Sequence, residues 1–246
     1  MSPIKTRLDV SLVERNLTPS RQRAQALIMA GKVLVNQVPV TKPGTRIRIS
    51  DQISLKGRDI PYVSRGGLKL AYALAQFTIN VSGKNCMDVG ASTGGFTDCL
   101  LQAGAARVLA VDVGYGQLAW KLRQDPRVDI LERTNIRKLT PEQVPYPIEM
   151  AVIDVSFISL RTVLPSVQRF LITGAHIVAL IKPQFEVGKD LVGKGGVVRD
   201  PNLHADVVRS LRQFCGTINM KVLGLTTSPI TGPKGNKEFL IHLKKT

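Results

Sequence analysis

An α/β protein is what the sequence predicts: a doubly wound, Rossmann-like sheet of seven strands, preceded by a small basic α+β domain. Three observations carry this. Seven short apolar runs follow residue 84, most of them separated by amphipathic segments. The first run opens into a glycine-rich turn, where sheets of this kind bind ligands. Basic residues crowd the first quarter of the chain. Residues 1–58 hold 11 Lys and Arg against 3 Asp and Glu, half of the +16 net charge carried by all 246 residues. The expected division is 1–58 for the basic domain, 59–66 for a linker and 67–246 for the sheet domain.

In the basic domain, apolar residues recur at helical spacing over Thr6–Val13 and over Ser20–Ile28. Thr18 or Ser20 can cap the second helix, Pro19 favours a start there, and Gly31 suits its end. Lys32–Asn36 reads as a short strand. A turn, Val38-Pro39-Val40, a second turn at Pro43-Gly44-Thr45 and the alternating Arg46-Ile47-Arg48-Ile49 follow. Two short helices and a small twisted sheet are therefore expected. SRQRAQALIMAGKVLVN followed by KPGTRI resembles the RNA-binding domain first described in the fourth protein of the small ribosomal subunit. The resemblance implies that Arg7, Ser20, Arg21, Arg23 and Lys32 hold structured RNA through its backbone.

In the sheet domain the strand-like runs are Asn85–Val89, Arg107–Asp112, Val128–Leu131, Glu149–Asp154, His176–Ile181, Lys221–Thr226 and Lys237–Leu243. Amphipathic segments at Gly67–Phe77, Gly94–Ala103, Gln117–Arg123, Leu160–Leu171 and Leu203–Phe214 supply the helices.

Composition narrows the function classes. Hydrophobic residues make up 43% of the chain, enough for a real core. A net charge of +16 points to a polyanionic partner, nucleic acid or an anionic membrane. Charges recur through MSPIKTRLDVSLVERN, so no export signal is expected, and no apolar run is long enough to span a bilayer. Cys86, Cys99 and Cys215 are scattered, without a C-x-x-C pair, so neither a disulfide framework nor a metal site is expected. A cytoplasmic, reduced, metal-free protein is the expectation; the oligomeric state stays open.

The first sheet-domain strand runs into Asp88-Val89-Gly90-Ala91-Ser92-Thr93-Gly94-Gly95-Phe96. Glycines at such a turn let a ligand approach the backbone closely. The pattern is neither G-x-G-x-x-G nor a P-loop, so a dinucleotide pyrophosphate or a triphosphate is not the natural ligand. Asp112 closes the second strand, 22 residues after Gly90, where a carboxylate can accept hydrogen bonds from both ribose hydroxyls of an adenosine. The combination resembles the S-adenosylmethionine-dependent methyltransferases. That resemblance implies S-adenosylmethionine as cofactor, held by Asp88, Gly90, Ser92, Gly94, Gly95, Phe96, Asp112, Val113, Asn135 and Asp154. Phe96, Tyr115 and Phe157 are aromatic candidates for stacking on a base or an adenine.

Four charged residues fall at or near strand ends. Asp154 and Lys182 close apolar strands, Glu238 opens the last one, and Lys69 lies in the first turn of the helix before the first strand. Charged residues rarely sit there without a partner or a chemical task. The Lys69, Asp154, Lys182, Glu238 set resembles the ribose 2′-O-methyltransferases of the FtsJ type. It implies that Lys182 meets the 2′-hydroxyl, Lys69 orients it, and the carboxylates position the lysines. Whether Lys182 acts as base or as oxyanion stabiliser is open at this level.

The remaining segments, among them YVSRGGLKL, AVDVGYGQL, ERTNIR, DVSFISL, IKPQFEVGK, GGVVRDP and SPITGPKGNKEFL, make the whole chain similar to the TlyA family, also labelled hemolysin A. The resemblance implies 2′-O-methylation of cytidine in ribosomal RNA, with ribosomal RNA or ribosomal subunits as partner. Arg65, Lys189, Lys194 and Lys234 are further candidates for RNA contact. The glycine-rich, basic stretch Gln184–Arg199 can act as a lid over RNA phosphates or as a plain surface loop. Two other function classes stand beside the enzyme: a membrane-lysing protein, as the family label suggests, and a catalytically silent RNA-binding assembly factor.

Overall fold

The computed structural model describes residues 5–56 and 60–246. The chain divides into two compact units, Met1–Asp59 and Ile60–Thr246. The expected boundary between residues 58 and 59 lies outside the described residues. Residues 60–66, expected as linker, belong to the second unit.

The first unit starts with β1 (Lys5–Arg7), α1 (Leu8–Glu14) and α2 (Arg21–Met29). β2 (Val33–Val35), β3 (Val38–Pro39), β4 (Arg46–Arg48) and β5 (Ile53–Leu55) follow. Ser20 caps α2 by accepting the Arg23 N–H. One core of Leu8, Leu12, Ala24, Leu27, Ile28, Val33 and Ile47 holds the helices on the strands. The structure corrects the expected start of the first helix: Lys5–Arg7 is a strand that pairs antiparallel with β4, and α1 begins at Leu8. β2 lies between β3 and β5, and β5 was not anticipated. Asn36 and Gln37 both take positive φ, +49° and +67°, which gives the β2–β3 hairpin a type I′ turn with Gln where Gly is usual.

The second unit runs α3 (Gly66–Gln76), β6 (Asn85–Val89), α4 (Gly95–Gln102), β7 (Arg107–Val111), α5 (Trp120–Arg123), β8 (Val128–Leu131) and β9 (Ile148–Ile153). It continues with α6 (Leu160–Gln168), β10 (Leu171–Ile181), α7 (Pro183–Glu186), α8 (Pro201–Thr217), β11 (Met220–Thr227) and β12 (Phe239–Lys245). The seven strands form one sheet in the order β11-β12-β10-β9-β6-β7-β8, with β12 antiparallel to both neighbours and the other pairs parallel. The doubly wound α/β expectation is met. Apolar side chains on the two faces of the strands bury separate clusters, Met87, Ile153 and Ile177 in one, Cys86, Val152 and Val178 in the other.

Strand order fixes the site. β6 and β9 are adjacent although other strands separate them in sequence, so the order reverses there and a crevice opens beyond their carboxyl ends. Val89 pairs with Ile153, which puts Gly90 level with Asp154. Ile181 pairs with Phe239, which puts Lys182 level with Glu238. Because β12 runs against β10, the start of one meets the end of the other. Strands lie about 4.8 Å apart, so Asp154, Lys182 and Glu238 stand on consecutive strand ends.

Candidate active site

The four charged residues form two ion pairs. Lys182 Nζ lies 2.6 Å from Asp154 Oδ1 and donates to Ser156 Oγ at 3.0 Å. Lys69 Nζ donates to Glu238 Oε2 at 2.6 Å. Lys69, Lys182 and Glu238 are buried, and Asp154 is half-buried. Lys69 arrives from α3, whose Leu70, Ala73 and Leu74 bury in the core and carry the lysine to the sheet with them. Glu238 fits because residue 232 is glycine: a Cβ there would stand 2.0 Å from Glu238 Oε1. Burying two ion pairs costs desolvation that their attraction barely offsets, so they are weak evidence of stabilisation and stronger evidence of a task.

On the other side of Asp154 lies the glycine turn. Gly90 has φ +85°, and a Cβ there would meet the Asp154 carbonyl oxygen at 2.7 Å. Next to the turn is a cleft lined by Ala91, Ser92, Ala110, Asp112, Gly114, Gln117, Leu118, Ile130 and Glu132. Asp112 is fixed at its lip: Ser92 N donates to Oδ2 at 2.7 Å and Gly114 N to Oδ1 at 2.6 Å. Ser92 Oγ also donates to Gln117 Oε1 at 3.1 Å. Glu132 accepts from Gly116 N and pairs with Arg123.

Several expected cofactor contacts do not face this cleft. Phe96 is 3% exposed and packs in the core, so its ring is no stacking surface. Asp88 is fully buried beneath the turn and accepts from the Thr97 hydroxyl at 2.7 Å; burial pushes its pKa up to about 7. Asn135 caps a short 3₁₀ turn, accepting from Arg137 N at 3.1 Å. Val113 is exposed. Gly94, at φ +91°, and Gly95 shape the start of α4. Ser156, Gln117 and Glu132 were missed as site residues. Glu132 had the same signal as Asp112, an acidic residue just past a strand end.

The expected RNA contacts fall in both units. In the first, Arg7 and Arg21 both bond Asp9, and Lys32 is exposed. In the second, Arg65 donates to the Thr231 carbonyl at 2.8 Å, and Lys194 and Lys234 are exposed. The Lys189 side chain lies outside the described residues. Gly193 bridges Val197, and Asn236 ties the end of the loop down, accepting from Val198 N and donating to Gly196 O. The Gln184–Arg199 stretch, read as a lid or as a plain surface loop, is thus anchored at one end. Phe157 is 91% exposed at φ +63°, tilted against Phe185 with ring centroids 5.1 Å apart.

A glycine turn, an acidic cleft and two Lys–carboxylate pairs stand together at one end of the strands, and residues 62–245 match the FtsJ-like methyltransferases. The chain belongs to that family. Residues 6–53 match the S4 domain. The Bacillus subtilis protein YqxC, provisionally named an rRNA methyltransferase, is 52% identical over 99% of this chain and 87% of its own length. The 16S/23S rRNA (cytidine-2′-O)-methyltransferase TlyA of Mycobacterium tuberculosis is 48% identical over 98% of this chain and 90% of that one. A solved structure from Streptococcus thermophilus that carries a hemolysin label is 46% identical, with TM-score 0.79 over 98% of this chain and 89% of that one. Both matched stretches lie within the span that this chain shares with those relatives. Among the described residues, no helix is long and apolar enough to cross a membrane.

Proposed function

We propose that this chain transfers a methyl group from S-adenosylmethionine to the ribose 2′-hydroxyl of cytidine in ribosomal RNA, in the cytoplasm. The observation that carries the reading is the Lys182–Asp154 pair on the strand end beside the Gly90 turn. The cleft suits the cofactor: Asp112 has lone pairs left for two ribose hydroxyls, and Ala110, Leu118 and Ile130 offer apolar walls to a purine. The missing Cβ at Gly90 leaves the backbone open toward Asp154. When bound there, S-adenosylmethionine supplies an electrophilic methyl on a positive sulfur.

This chain's residues do the rest. Lys182 donates one N–H to Ser156 and faces Asp154 as an ion pair at 2.6 Å, which leaves an N–H for the 2′-oxygen. That placement supports the oxyanion-stabilising role over the base role, with the hydroxyl proton passing to solvent water as the new O–C bond forms. Asp154 holds the ammonium in line, and Glu238 does the same for Lys69. Alignment of hydroxyl and methyl carries much of the acceleration in such a site. Phe157, exposed and backed by Phe185, suits a base turned out of the RNA. The S4 unit adds a second grip through Arg7, Arg21, Arg23 and Lys32. The relatives' names support both the ribosomal RNA and the cytidine.

The test is mass-spectrometric mapping of ribose methylation on ribosomal subunits incubated with the protein and S-adenosylmethionine. New 2′-O-methylcytidine is the expected product. Methyl on a base nitrogen or carbon, or no transfer, would overturn the reading.

A further inference from the structure

Asp9 is a carboxylate with 0% exposure in a small basic domain, and most of what it bonds is side chain. Arg7 grips it side-on, Nε to Oδ1 at 2.9 Å and Nη2 to Oδ2 at 3.0 Å. Arg21 Nε and Gln25 Nε2 both reach Oδ2 at 2.9 Å. Among the described residues, its one backbone donor is its neighbour Val10 N at 3.1 Å. A helix-capping acid would show the reverse balance. The two arginine side chains remain 47% and 56% exposed although their common partner is buried.

The geometry follows from those bonds. Arg7 Nη2 and Arg21 Nε share one oxygen, so two guanidinium groups are held side by side against their own repulsion. Arg7 Nη1 and both terminal nitrogens of Arg21 are outside the carboxylate. The Arg7 guanidinium also lies against Gly44, where a Cβ would stand 3.4 Å from Nη1. The Asp9 N–H donates to Pro43 O at 3.2 Å, so the acid and that turn are set together.

We infer that Asp9 is a positioning residue for RNA binding: it fixes Arg7 and Arg21 as one double-guanidinium clamp on the RNA phosphate backbone. A guanidinium is a planar fork and loses little freedom on meeting phosphate once its plane is set. The inference rests on the reading of the first unit as RNA-binding and names the element that organises it. It also has a sign that charge alone contradicts. Removing a negative charge from a basic RNA-binding surface should tighten binding through the phosphates; losing the clamp weakens it.

The experiment uses the full chain and transcribed ribosomal RNA, with affinity measured across a salt series. Asp9→Asn is expected to weaken binding about tenfold at low salt. The slope of log affinity against log salt should fall by roughly one to two, the signature of one or two lost phosphate contacts. A lowered folded fraction would shift apparent affinity without moving that slope. Arg7→Lys with Arg21→Lys keeps both charges and loses both forks, so it carries the test if Asp9→Asn melts at the assay temperature; a similar weakening is expected. Unchanged or tighter binding by Asp9→Asn, or wild-type binding by the double lysine variant, would overturn the clamp. If Arg7→Ala with Arg21→Ala also binds like wild type, the RNA-binding reading of these arginines falls with it. If that double alanine variant weakens while Asp9→Asn does not, the arginines bind RNA without the clamp.

Discussion

The Asp9 cluster of the S4 unit and the strand-end cluster of the FtsJ-like unit both pair cations with carboxylates, and the difference between them is exposure. In the S4 unit one buried carboxylate serves two arginines whose heads are half in water. In the FtsJ-like unit two carboxylates serve two lysines, and three of those four residues are buried. The first arrangement leaves surplus positive charge and several donors facing outward, which suits a polyanion many times larger than the site. The second is neutral as a whole and brings two compact ammonium groups to adjacent strand ends, which suits one hydroxyl. The choice of cation follows. Arginine presents a fixed fork to phosphate, while lysine brings a compact ammonium to a single oxygen.

The sharpest way to break this comparison is to damage each cluster separately. Lys182→Ala is expected to lower the methyl-transfer rate by about 10²- to 10³-fold, the usual cost of removing one donor that stabilises developing oxyanion charge. RNA affinity and its salt slope should stay as in the wild type. A matching loss of RNA affinity would show that the two clusters are not separate in function. The converse is Arg7→Ala with Arg21→Ala: RNA affinity falls and the salt slope drops by roughly two. The rate at saturating RNA should be retained in a single-turnover assay.

The buried pairs allow a second contrast. Replacing Lys69 and Glu238 together by apolar residues, Lys69→Met with Glu238→Leu, should leave stability unchanged or raise it by about 1–4 kcal/mol. Lys69→Met alone strands the Glu238 carboxylate in a dry site, and breaking such a pair costs about 3–5 kcal/mol. Transfer activity should collapse in both variants. Denaturant unfolding checks the stability half. A double variant as unstable as the single one would mean that this pair is structural.

Gly90→Ala tests the approach of the turn to Asp154. The added Cβ would sit 2.7 Å from a carbonyl oxygen at φ +85°. A cost of about 1–3 kcal/mol is expected from backbone strain of this kind. Calorimetric titration with S-adenosylhomocysteine should show at least about tenfold weaker binding. Unaltered binding would remove the turn from the cofactor site.

Much of this site was legible because parallel strands gather their carboxyl ends on one edge. Asp112, Asp154 and Lys182 each follow an unbroken apolar run, so position alone marked them. Glu238 needed one more step, that the last strand runs antiparallel. What stayed hidden depended on which way a side chain turns. Phe96 and Asp88 lie in the same motif as Ser92, yet they point inward while Ser92 faces the cleft. Helical spacing places Phe96 on the packed face of α4 only once α4 is known to start at Gly95. In the S4 unit the three-residue strands β1 and β5 are too short to show an alternating pattern, and the pairing of β1 with β4 is a contact between residues about forty apart. The clamp escaped for a related reason: Asp9, Arg21 and Gln25 meet only after α1 and α2 pack.

The smallest effect concerns a pair of histidines, His242 buried and His176 half-buried. His176 Nδ1 and His242 Nε2 are 2.8 Å apart on adjacent strands, and His242 stacks between His176 and Phe77. Burial, reinforced by His176, pushes the His242 pKa from 6.5 down to about 4. Burial and the nearby Lys244 and Lys84 also push His176 down. A folded-state pKa below the unfolded one means that the unfolded chain takes up protons first as pH falls. His242 therefore contributes stability that is complete above about pH 6.5 and is lost as pH falls toward about 4. His242→Gln cannot titrate. Its melting temperature should lie below that of the wild type at pH 7.5, and the gap should narrow at pH 4.5. Because His176 bonds His242 directly, the difference reports the pair, and a gap that stays constant with pH would show that its neutrality plays no part in holding β10 to β12.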